Sequence, residues 1–119
     1  MLKVMTLLLM ISSSTLANLT IGDDQFQQSH ENNCFYIARF ELELSSSDTI
    51  ELCHGSSPTP AMCYRFLSKA HDLELDSKHA IAICKRARSL MQKIDCVINL
   101  KENRNDYSAD LAVRECRGR

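Results

Sequence analysis

Apolar and polar positions divide the chain into stretches of different character. Val4 to Ile11 is an apolar run, interrupted by Thr6, after Lys3 and followed by small and polar residues up to Ala17. That layout predicts a secretory signal peptide over 1–17, cleaved near Ala17, because the run is too short for a bilayer core of about 30 Å. Residues 18–33 are polar, acidic and without apolar period, which predicts a flexible lead-in. Its opening "NLT" makes Asn18 a glycosylation acceptor in a eukaryotic source.

From residue 34 onwards the pattern is helical and repeated. In "PAMCYRFLSKAH" (60–71), apolar residues at 63, 66, 67 and 70 follow the spacing of one helix face. Pro60 suits a helix start, where its missing N–H costs nothing. "CVINLKEN" (96–103) is a shorter match. "CFYIARFELEL" (34–44) is mixed, since Phe40, Leu42 and Leu44 alternate as in a strand; analogy with its sister segments favours helix. A second set of helices is signalled by caps. Ser45, Asp76 and Ser108 each stand eight positions before a cysteine, and such side chains accept hydrogen bonds from orphan helix N–H groups. Leu44, Leu75 and Tyr107 precede them in the place of a hydrophobic staple. Ile50, Ile81 and Val113 lie three before the same cysteines, one turn away and on the same expected face.

The cysteines set the period. Cys34, Cys53, Cys63, Cys84, Cys96 and Cys116 are separated by 19, 10, 21, 12 and 20 positions. Long and short gaps alternate, giving three units about 30 residues apart, a spacing typical of repeated supersecondary elements. An even cysteine count in a small exported chain reads as a disulfide framework, with fifteen pairings open to six cysteines. If each unit is helix, turn, helix, its two cysteines flank the turn symmetrically and come within bonding reach. This predicts Cys34–Cys53, Cys63–Cys84 and Cys96–Cys116. The rival makes each unit one straight helix of about 30 Å, so that Cys53–Cys63 and Cys84–Cys96 would clip the corners. The caps in mid-unit speak against it. Residues 76–100 contain no breaker, so units two and three could share one helix.

Charge and chemistry then narrow the function classes. Residues 18–76 hold ten acids and three bases, a balance of −7; residues 77–119 hold ten bases and five acids, a balance of +5. The halves could pair within the molecule, between copies or with a charged partner. The run "CKRARS" concentrates Lys85, Arg86 and Arg88, with Lys93 beyond. On a helix, Lys85, Arg88 and Gln92 would form a stripe that could meet acidic lipid or an acidic partner. Few aromatics accompany it, which disfavours nucleic acid. No C-x-x-C or H-x-x-x-H spacing supports a metal site, no G-x-S-x-G elbow supports a serine nucleophile, and bonded cysteines leave no thiol. His30, His54, His71 and His79 are scattered. No cofactor is expected.

The stretch "LCHGSSPTPAMC" (52–63) resembles an element of uncharacterised secreted bacterial proteins, of the form L-C-x-G-A-x-S-x-x-P-x-x-C. Leu52, Cys53, Gly55, Pro60 and Cys63 match; the loop is one residue shorter and Ser56 replaces alanine. "ICKRARSLMQKIDC" (83–96) keeps Cys84, Ala87, Ser89 and Cys96, lacks the glycine and proline, and runs one longer. The resemblance spans about residues 34–116 and implies repeated helical hairpins without an assigned activity. The close cysteine pairs of saposins, insect odorant-binding proteins and plant lipid-transfer proteins are not present.

Together these features predict one all-α domain over 34–119 made of three tandem disulfide-clipped αα-hairpins, secreted or periplasmic. The expected role is a non-enzymatic binding module with a protein partner or with copies of itself. The alternative is a secreted effector or toxin engaging membranes or a host target through the basic 85–93 face.

Overall fold

A computed structural model describes residues 33–118. The expected signal peptide over 1–17, the lead-in up to residue 32 and the Asn18 sequon lie outside the described residues. Within them the chain is all helical: α1 (Cys34–Tyr36) running into a π-helical turn (Ile37–Glu41), α2 (Ser46–Leu52), α3 (Thr59–Lys69), a 3-10 turn (His71–Leu73), α4 (Ser77–Cys84), α5 (Leu90–Asn103) and α6 (Ala109–Cys116).

The three disulfides are Cys34–Cys53, Cys63–Cys84 and Cys96–Cys116, with Cα atoms 5.7, 5.6 and 5.8 Å apart. Each bond joins the first helical segment of a unit to the second, so no unit is a straight helix. In the chain-entropy picture, closing loops of this length stabilises by about 3 kcal/mol each. The middle unit holds the molecule together. Its α3 packs on α1, α4 and α5, and its α4 packs on α2 and α6. Leu52, Leu67, Ile83 and Val97 are fully buried between these elements, with Cys34, Cys63, Cys84 and Cys116 among them.

Local chemistry explains where the helices start. The Ser45 hydroxyl accepts from the Asp48 N–H at 3.1 Å, and Ser108 accepts from Leu111 N–H at 3.1 Å. Asp76 accepts from His79 N–H at 2.9 Å, while its own N–H donates to His79 Nδ1 at 3.3 Å, a reciprocal capping box. Leu44 is buried, and Leu75 and Tyr107 pack against the core, as the staple positions predict. Tyr107 also donates its hydroxyl to the Leu73 carbonyl at 2.6 Å, tying unit three to the turn of unit two.

Several expectations are corrected. The sequence allowed one helix over 76–100; instead α4 ends at Cys84 and α5 starts at Leu90, because the Ser89 hydroxyl caps α5 by accepting from Gln92 N–H. The first helix stops at Glu41, and the π-helical turn leaves Phe40 exposed while Leu44 is buried. Phe66 does not join the buried face of α3 but is 44% exposed. Ile50 is 69% exposed, and Thr49 takes the inward place. The Cys53 N–H still bonds Thr49 O, so the helical face runs on to the cysteine, but the covered arc is the one shared by Thr49, Leu52 and Cys53, and Ile50 falls on its uncovered edge.

The two linkers between units share one backbone design. The residue two past the closing cysteine has a left-handed backbone: Gly55 at φ 74° and Arg86 at φ 59°. The residue five past it is the next N-cap, Pro58 or Ser89. Glycine takes that left-handed position without steric cost, whereas a residue with a Cβ does not. Arg86 therefore stands in a glycine position.

Candidate functional site: a basic cleft beside the third unit

The Cys84–Ser89 linker and the first turn of α5 meet the residues that follow α6 around a cleft of about 450 Å³. Five of its seven lining residues are Lys85, Arg86, Arg88, Lys93 and Arg117; Gln92 and Gly118 complete it. The structure thus brings together all four basic residues singled out in the sequence, but not as a helical stripe. Residues 85–88 form a turn, with the Lys85 N–H bonded to Ile81 O and the Ala87 N–H to Cys84 O. Ala87 is buried under the turn at 4% exposure and turns its basic neighbours outward. Lys85, Arg86, Arg88 and Arg117 are exposed. Among the described residues, no carboxylate forms an ion pair with any of the four.

Lys93 departs from the sequence expectation of an exposed contact residue. It is only 2% exposed, and its Nζ donates to the carbonyls of Cys116 at 2.8 Å and Arg117 at 3.0 Å. These are orphan acceptors at the negative end of α6, where a cation is favoured. Burial lowers the ammonium pKa below the usual lysine value. Two of its three N–H donors are committed to these carbonyls, and Lys93 is among the residues lining the cleft. Arg117, which the sequence reading did not single out, enters the cleft because α6 ends at Cys116 and Lys93 draws its carbonyl inward. A basic residue directly after a unit's last cysteine was the available signal, shared by Lys85 after Cys84.

Other candidates are less concentrated. A cavity of about 550 Å³ between α5 and α6 mixes Asp95, Asn99, Asn103, Arg104 and Glu115. Arg104 donates through Nε and Nη2 to the Asp106 carboxylate, each at 2.9 Å, which lowers the Asp106 pKa. An open apolar groove of about 420 Å³ is lined by Met62, Phe66, Ala70 and Leu90, with Arg65 and Lys69 at its edge. His54 and His71 are exposed, and His79 serves the Asp76 cap and lies 3.5 Å from Asp110. Among the described residues no three His, Cys, Asp or Glu side chains converge as a metal site would require, and no helix is long and apolar enough to cross a membrane. All six cysteines are bonded, a state that fits an oxidising compartment. No family model, curated protein or solved structure matches the chain.

Proposed function

We propose that this protein is an exported, non-enzymatic binding module, released after cleavage of its leader near Ala17, that engages its partner through the basic cleft. The observation that carries this reading is the grouping of Lys85, Arg86, Arg88 and Arg117 around one concavity, exposed and without carboxylate partners among the described residues. Like charges gathered without compensation repel one another, and an acidic partner relieves that repulsion. The disulfide framework supports the same role, since it holds the linker and the end of α6 in fixed relation and reduces the ordering cost of binding. Affinity capture from the producing organism's own envelope or culture medium tests the proposal. The wild type should retain a partner that a Lys85→Glu, Arg88→Glu variant loses. Equal recovery by both proteins would count against the cleft as the contact surface.

A second reading, an effector or toxin that engages membranes through the 85–93 face, is favoured by the open apolar groove of Met62, Phe66 and Leu90, together with Met91 at 60% exposure just past the basic linker. Apolar side chains beside cations suit an interfacial contact. Co-sedimentation with vesicles separates the two readings. Membrane engagement requires sedimentation with zwitterionic vesicles that increases when anionic lipid is added.

A further inference from the structure

We infer that the cleft is a site for a compact polyanion carrying two or more phosphate groups. The inference rests on the reading of the cleft as the binding surface and names what that surface takes.

Shape and donor type point to phosphate. A flat basic face would suit the diffuse charge of a membrane or an acidic protein, but these cations surround a concavity of about 450 Å³, within the usual size range of small-ligand sites. Three of the five are arginines, whose planar guanidinium matches phosphate oxygens two at a time. Lysines 85 and 93 add point charges. The Lys93 ammonium is buried and fixed by two carbonyls, so one charge of the site is positioned before any ligand arrives. A single phosphate could not satisfy five cations spread around such a volume, whereas several phosphates on one small scaffold could.

Arg86 occupies the left-handed position that Gly55 fills in the other linker, at φ 59° against 74°. Glu43 and Glu74 share this backbone at φ 56°, so the conformation marks a turn; what counts at Arg86 is that the turn places a guanidinium on the cleft.

The free anion and a phosphorylated lipid headgroup share this chemistry, and the test separates them. Inorganic tripolyphosphate is titrated calorimetrically into the full chain at physiological salt. In parallel, sedimentation is measured with phosphatidylcholine vesicles containing phosphatidylinositol bisphosphate, or phosphatidylserine at equal surface charge. One-to-one binding of tripolyphosphate is expected. Arg86→Gly should weaken it about tenfold, as loss of a charge-assisted contact does, while raising the unfolding midpoint by a few degrees because glycine takes the left-handed backbone without steric cost. Arg117→Gln should weaken binding similarly with little effect on the midpoint. Binding to phosphatidylinositol bisphosphate vesicles in preference to phosphatidylserine identifies a headgroup as the source; tripolyphosphate binding without vesicle binding identifies a soluble anion. The inference is overturned if tripolyphosphate does not bind, if Arg86→Gly and Arg117→Gln bind it like wild type, or if both vesicle types bind equally. A protein partner captured through the cleft despite absent tripolyphosphate binding would leave the binding-module reading standing and remove only the polyphosphate ligand.

Discussion

Lys93 shows how a residue that reads as surface in the sequence can be structural in the fold. Its side chain leaves α5 one turn past the Ser89 cap and ends on the carbonyls of Cys116 and Arg117, 23 and 24 positions later. Nothing in the local sequence announces those acceptors; they exist only once α6 packs on α5. Lys93→Met should therefore destabilise the protein by about 2 kcal/mol near neutral pH through loss of charge-assisted bonds, whereas Lys85→Met should stay within about 0.5 kcal/mol. Chemical denaturation measures both. Because burial lowers the Lys93 pKa in the folded state, the unfolded chain binds more protons between that value and 10.5. Wild-type stability gains from this group as pH rises through that window, so the deficit of Lys93→Met should widen there. Tyr107 has the opposite sign. Burial, then the nearby Glu74 and Asp72 charges, raise its phenol pKa above 10.0. Its contribution is complete below the unfolded value and is lost as pH climbs through the folded one. Tyr107→Phe should delete a phenolate transition above the ordinary tyrosine range in an absorbance titration. The same change should cost about 1–3 kcal/mol by leaving the Leu73 carbonyl without its donor.

At the scale of elements, short-range chemistry was legible and tertiary register was not. Ser45, Asp76 and Ser108 cap helices as expected because capping needs only the side chain and the next three N–H groups. Ser89 is legible as a match to the linker element but not as a cap, for lack of a neighbouring glycine or proline, although it stands five positions past Cys84 as Pro58 stands five past Cys53. The misplacement of Ile50 and Phe66 has a different cause. Helical spacing defines an arc of the surface, but which edge of that arc is covered depends on the neighbouring elements; Thr49 and Leu67 lie on the covered edge, Ile50 and Phe66 on the open one. The basic site was half legible: the run 85–88 and Lys93 were visible, but the stripe was wrong because the turn replaces a helix. Without its cap, α5 has no reason to begin at Leu90. Ser89→Ala should cost about 1 kcal/mol and should speed amide exchange in the first turn of α5 more than elsewhere. The first turn of α5 carries Lys93, so the same variant should loosen the floor of the cleft.

For the whole molecule, the central position of unit two makes the three disulfides unequal despite their similar loops. Sequence separations of 19, 21 and 20 give nearly identical loop-closure terms, since the dependence is logarithmic. A purely entropic account predicts that removing any one bond costs about the same, about 3 kcal/mol. The folded state distinguishes them. Cys63 and Cys84 are both fully buried, on the two helices that contact every other unit. Cys96 is partly exposed and faces the open side of α5 beside the mixed-charge cavity. Paired Cys→Ala replacement at 63 and 84 therefore leaves unfilled volume in the core as well as a longer unfolded chain, whereas replacement at 96 and 116 leaves a gap that opens partly to solvent. Cavity costs in cores add to the transfer term, so the 63/84 variant should fall at least about 1 kcal/mol below the 96/116 variant in denaturant unfolding. Equal losses would mean that unit two is no more central to stability than its neighbours. Loss of the 96/116 bond should instead be felt at the cleft, because it frees the end of α6 that carries Arg117 and accepts from Lys93. Its signature should be weakened polyanion binding in a protein that still unfolds cooperatively.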